Sequence, residues 1–175
     1  MADTIRTLAQ LNQQFADNTE GVISPQDIRD LFVSLMVHGE IGSGAKAAIT
    51  LAAGYQAMDF TVAGAVSRGI TVDTVNKQLS GIPVNLGAEV TLEVLFNGAA
   101  NTTYDFAVFR NGAALPRLSG SCRIINVAQI GFISMSSAMD LSANDVLHAA
   151  VRPAVGTPTF TLLRGALRVR RIAIE

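Results

Sequence analysis

The residue types that carry most enzyme chemistry are thinly spread in this chain. His38 and His148 are the only histidines, and they are remote in sequence. Cys122 is the only cysteine, so no disulfide framework is possible within one chain and no Cys/His cluster has zinc-ligand spacing. Cys122 reads as a small residue in a strand. His38 falls near the end of an expected helix, where a C-terminus suits an imidazole. His148 falls in an expected strand as a packed or rim residue. Scattered aspartates could hold calcium at an interface, but no EF-hand loop is present. Gly39-Glu-Ile-Gly-Ser-Gly-Ala-Lys superficially resembles a phosphate loop, yet Ala47 follows Lys46 where Ser or Thr is required and no strand precedes it. Ser119-Gly120-Ser121-Cys122 is not a nucleophile elbow. Asn101-Thr102-Thr103 is formally a glycosylation sequon but reads as a turn. Glu89 and Glu93 share one side of a strand, and at about 13 Å they are too far apart for paired-carboxylate hydrolysis. These absences point away from an enzyme and from any cofactor.

One cationic group stands out. Arg164, Arg168, Arg170 and Arg171 cluster near the C-terminus, with Arg168 and Arg170 on one strand face opposite Leu167 and Val169. They read either as a contact to acidic groups on a neighbour or as a solvated strand face. Aromatic residues are not interleaved, so a nucleic-acid site is not expected.

The elements that would position these residues divide the chain in two. Within 4–16, Ile5, Leu8, Leu11 and Phe15 recur at helical spacing. A second helix starts at Ser24 as N-cap with Pro25 in the first turn and Asp27 in a capping-box position. Its stripe is Ile28, Leu31, Phe32, Leu35 and Met36, and Gly39 ends it. Two such short helices cannot fully bury both stripes against each other. They need the rest of the chain, a sister subunit or another protein, and the nine stripe residues are the expected interface.

Residues 40–48 read as a flexible connection, after which helical periodicity gives way to short apolar runs. Strands are expected at 49–53, 58–63, 69–73, 82–86, 90–97, 103–110, 123–127, 131–138, 146–152, 159–163 and 166–174. Asn97-Gly98, Asn111-Gly112, Ala143-Asn144-Asp145 and the segment from Val155 to Pro158 supply turns. The layout is a mainly β chain: a helical arm over 1–40, a linker over 41–48 and a β-sandwich over 49–175.

Composition adds a further constraint. Charged residues make up 15% of the 175, against about 25% in ordinary soluble domains. A charge-poor surface points to burial against other protein. Net charge is −1, which predicts neither a nucleic-acid nor a membrane partner. The N-terminus lacks the apolar run of a signal peptide, and a cytosolic assembly site is expected. Residues 1–40 are acidic, at net −4, and the remainder is +3. Attraction between arm and body would tune docking rather than drive it.

Six segments carry a resemblance. Gly98-Ala-Ala-Asn-Thr-Thr-Tyr-Asp-Phe-Ala-Val-Phe-Arg-Asn-Gly-Ala, Ile130-Gly-Phe-Ile-Ser-Met-Ser and Met139-Asp-Leu-Ser-Ala-Asn-Asp-Val-Leu look like the tumour-necrosis-factor-like jelly-roll domain of bacteriophage virion proteins. The ending Leu167-Arg-Val-Arg-Arg-Ile matches its usual last strand. Leu11-Asn-Gln-Gln-Phe-Ala-Asp-Asn and Ile23-Ser-Pro-Gln-Asp-Ile-Arg-Asp-Leu-Phe resemble a short helical module that precedes such domains. The resemblance implies a jelly roll, a homotrimer about a three-fold axis and a place in the virion after assembly in the host cytoplasm. The implied partner is the major capsid protein or another virion protein. Without a repetitive shaft, the layout points to a capsid decoration (cement) protein. The alternative is a head or tail fibre or adaptor module that binds a host-surface receptor.

Overall fold

The computed structural model describes residues 4–7, 10–11, 13, 24–64 and 67–172. Among the described residues, one continuous helix, α1 (Pro25–Leu35), precedes twelve strands: β1 (His38–Ser43), β2 (Ile49–Thr50), β3 (Gln56–Ala57), β4 (Val62–Ala63), β5 (Thr71–Asp73), β6 (Gln78–Ser80), β7 (Leu86–Gly98), β8 (Thr102–Arg110), β9 (Ala113–Ile124), β10 (Gly131–Leu141), β11 (Leu147–Pro153) and β12 (Thr159–Arg171). All pairings are antiparallel. The first sheet has the order β10-β7-β12-β1-β4 with β2 against β12; the second has the order β5-β6-β11-β8-β9 with β3 against β11. From β7 onward the chain passes repeatedly between the sheets, which is jelly-roll wiring.

Alternation explains why these runs form strands. In β7, Leu86, Ala88, Val90, Leu92, Val94 and Phe96 are buried, and the residues between them are partly exposed. The sheets meet on an aromatic cluster. Phe96 lies 5.3 Å from Tyr104, 5.0 Å from Phe106 and 5.3 Å from Phe160 between ring centroids. The Tyr104 hydroxyl donates to the Thr159 carbonyl at 2.5 Å and accepts from the Ala99 amide at 2.8 Å. This buried phenol thereby ties the start of β12 to the β7–β8 turn. Burial pushes its pKa up, against the Ala99 hydrogen bond.

The structure corrects several expectations. Thr4–Thr7 are not helical, so no helix begins at Thr4. Gln10, Leu11 and Gln13 have helical backbone, while Leu8 and Phe15 lie outside the described residues. The expected linker 41–48 begins as strand: Ile41, Gly42 and Ser43 are buried in β1, between β12 and β4. Its glycines serve close packing there, since a Cβ at Gly42 would meet the Gly165 carbonyl oxygen. The stretch between the expected strands 103–110 and 123–127 lies largely in β9. Pro116 is tolerated because β9 is an edge strand whose register with β8 shifts around it. The expected strand 82–86 does not form: 82–85 lie outside any strand, Leu86 opens β7, and the preceding strand is β6 at Gln78–Ser80. The expected pair 159–163 and 166–174 is one strand with a register shift between Leu162 and Arg164. Asn97-Gly98 closes no hairpin. Both residues belong to β7, and the turn follows with Asn101 at φ +55°.

Replacing Tyr104 with Phe leaves the Thr159 carbonyl and Ala99 amide without their partner. The expected loss is about 1–3 kcal/mol, measured as a lower Tm by calorimetry with an unchanged sheet spectrum.

Candidate subunit and partner interface

Helix α1 forms as its capping residues dictate. The Ser24 hydroxyl accepts from the Asp27 amide at 3.2 Å, and the Asp27 carboxylate accepts from the Ser24 amide at 2.9 Å. Its orientation is the reverse of an ordinary amphipathic helix. The buried residues are Asp30 and Ser34, at 1% and 0% exposure. The stripe residues Phe32 and Leu35 are 59% and 51% exposed, with Ile28 and Met36 also exposed and Leu31 half-buried.

A polar seam holds the helix this way round. Asp30 accepts from the Thr4 amide at 2.8 Å and from the Arg6 guanidinium at 3.0 and 2.9 Å. The Arg6 amide donates to the Ser34 hydroxyl at 2.7 Å. Arg171, at the end of β12, donates one guanidinium nitrogen to the carbonyls of Ser34 and Arg6 at 2.7 and 2.9 Å. Ile5 packs on the core beside Gly69, and Leu11 is buried. Of the described residues expected at an interface, Ile5 and Leu11 are therefore covered by their own chain, whereas Ile28, Phe32, Leu35 and Met36 face outward. The hydrogen bond from the Thr4 amide, then those from Gln26 and Arg6, hold the Asp30 carboxyl below the ordinary carboxylate range despite its burial.

Below the helix lies the outer face of the first sheet, in rows set by strand register. Arg170 stands opposite Glu89 and His38, and Arg168 opposite Thr91 and Glu40. Arg168 Nε lies 2.8 Å from Glu40 Oε2, and Nη1 reaches Glu93; Arg170 Nη2 lies 2.7 Å from Glu89 Oε2. The seam residue Arg171 thus meets backbone of the arm, while Arg168 and Arg170 meet carboxylates of their own sheet. Only Arg164 of the four has no ion pair or hydrogen bond among the described residues. It borders a depression of about 180 Å³ floored by Ala166 and rimmed by Phe132 and Leu95. A second recess of about 320 Å³ joins Leu35 and Met36 to His38, Arg168 and Arg170. Helix stripe and sheet face therefore form one continuous surface. Glu89 and Glu93 were legible as one strand face, but Glu40 as an Arg partner was not, because β1 read as a connection.

The isolated chemical residues stay isolated. His38 is in β1 and His148 in β11, on different sheets. The His148 ring stacks on Phe109 at 5.1 Å, and burial lowers its pKa. Cys122 is half-buried against the core. No group of three or more metal-ligating side chains occurs among the described residues, and no helix among them is long and apolar enough to cross a membrane.

No protein-family model matches the sequence, and no curated protein does. Solved structures do. The structure of Eiger TNF from S. frugiperda matches with a TM-score of 0.56 at 13% identity, over 80% of this chain and 94% of that one. Murine APRIL, in a crystal structure at pH 5.0, gives 0.46 at 14% identity, over 72% and 99%. The fold is a tumour-necrosis-factor-like jelly roll.

Asp30 sets a pH dependence for the arm. Its folded pKa is depressed, so its stabilisation is complete above the ordinary carboxylate value and is lost as pH falls through the folded one. Protection factors at the Thr4 and Arg6 amides, taken relative to the intrinsic exchange rate at each pH, should fall on acidification below that range. Asp30→Asn should exchange fast already at neutral pH, and equal protection in both proteins would remove the seam as the device that holds the helix.

Proposed function

We propose that this chain is a non-enzymatic virion structural protein: a homotrimeric capsid decoration protein that attaches to a shell through its helical arm. The observation that carries this reading is the reversed helix. An amphipathic helix held by its polar face, with Ile28, Phe32, Leu35 and Met36 outward, presents a hydrophobic stripe to another protein. Fully burying each such side chain gains about 1.5–3 kcal/mol, enough in sum for attachment once several arms engage together.

The outer sheet face supports the trimer. In its central rows Arg168 meets Glu40 and Glu93 and Arg170 meets Glu89, so a sister subunit covers arginines whose partners are already in place, with Arg164 at the edge left to pair across the contact. Small residues between them, Ser134, Ser136, Ala138 and Ala166, allow close approach. Phe132, Ile130, Val127 and Ile125 are exposed along the β9–β10 connection and the start of β10, beside that face, and supply apolar area for the same contact. Charged residues at 15% of the chain agree with a surface meant to be covered.

The test is mass in solution by light scattering, with and without empty shells of the source virus. The expected result is a trimer that co-sediments with shells. Phe32→Asp should remove attachment while leaving the trimer, and Ala166→Glu should dissociate the trimer. A stable wild-type monomer overturns the assembly, and a trimer that ignores shells but binds host cells replaces decoration by the fibre or adaptor role.

A further inference from the structure

A cavity of about 470 Å³ lies where the two sheets part, beside β2 and β3. It is far from neither sheet's core, because its walls are core side chains: Leu51, Met58, Val151, Phe160 and Leu162, each nearly or fully buried. Its polar groups are Gln56 and three charged side chains, Lys46, Asp59 and Lys77. Asp59 Oδ1 lies 3.0 Å from Lys77 Nζ, and Oδ2 lies 3.4 Å from Lys46 Nζ. Two ammonium groups share one carboxylate, so this cluster carries one net positive charge next to an apolar chamber. The size falls within the roughly 300–1,000 Å³ of small-molecule sites.

Both cations are held in place by backbone. The Lys46 amide donates to the Leu162 carbonyl at 2.8 Å, and Lys46 Nζ donates to the Thr61 hydroxyl at 2.8 Å. Lys77 sits at φ +60°, a conformation that Gly or Asn adopts at less cost. Its turn is built by Asp73, which accepts from the amides of Val75 and Asn76 at 3.1 and 2.9 Å. A lysine where the backbone favours glycine, with its ammonium at the cavity, is the sort of local cost that functional sites retain.

We propose that this cavity binds a small amphiphile with a single anionic head, a medium-chain carboxylate, its chain among Leu51, Met58, Phe160 and Leu162 and its head between Lys46 and Lys77. The head completes the charge balance that Asp59 leaves unfinished, and the chain fills apolar space that water occupies poorly. The site stands apart from the helix stripe and the outer sheet face, so it holds whether or not the chain decorates a shell.

Calorimetric titration of the full-length protein with decanoate tests it, with decylamine as the opposite-charge control. Saturable binding at one per chain is expected for decanoate and not for decylamine. Lys77→Gly relieves the backbone and removes one cation, so it should weaken binding about fivefold while keeping or raising Tm. Asp59→Asn removes the competing carboxylate and should tighten binding by a similar factor. Absence of saturable decanoate binding, equal binding of the amine, or affinities unmoved by both variants overturns the proposal.

Discussion

Strand β12 runs between β7 and β1, and its thirteen residues link the first sheet to the aromatic cluster at one end and to the arm at the other. Leu167 and Val169 point into the core, Arg168 and Arg170 point out to Glu40, Glu93 and Glu89, and Arg171 reaches the arm. At its other end Phe160 joins the aromatic cluster and the Thr159 carbonyl takes the Tyr104 hydroxyl. The register shift after Leu162 lets one strand serve both ends, with Gly165 placed where a Cβ would strike Phe60. A strand paired on both sides cannot slip without turning every side chain to the wrong face. The face on which the outward arginines stand is therefore set by the same register that sets the core.

The arm follows a different logic. Hydrophobic burial normally decides which way a helix faces, yet here hydrogen bonds decide it. Asp30, Ser34, Arg6 and Arg171 satisfy one another and the backbone of Thr4, and this satisfied network replaces an apolar contact. A buried carboxylate left without those partners would be costly, so the seam is close to all-or-none. The apolar stripe is thereby left outward and pre-ordered. An interface that is already ordered loses less entropy when it docks, which favours tight attachment from a short helix.

Surface chemistry is economical elsewhere too. On the outer face of the first sheet Arg168 and Arg170 are met by glutamates of neighbouring strands, whereas the cluster at the cavity beside β2 and β3 carries two lysines on one aspartate. Internally paired charge can be covered by protein, whereas an uncompensated charge beside apolar walls invites a small counter-charged ligand. The two surfaces therefore ask for different partners although they belong to one sandwich.

The sequence by itself determined what is local. Ser24, Pro25 and Asp27 set the start of α1 because capping needs only neighbouring residues. The alternation of β7 and β8 and the turn at Asn111-Gly112, with φ of +50° and +84°, follow from period and glycine freedom alone. Tertiary structure decided the rest. Strand β1 read as a linker because its glycines signal flexibility until a neighbouring strand packs on them. Most of strand β9 fell between the expected strands, and it forms because Pro116 is tolerated at a sheet edge although not in a central strand. The interior and exterior faces of α1 were readable as a stripe, but their assignment was not. That assignment rests on Arg171, 137 residues away from Ser34 along the chain, and no local pattern reports a contact of that range.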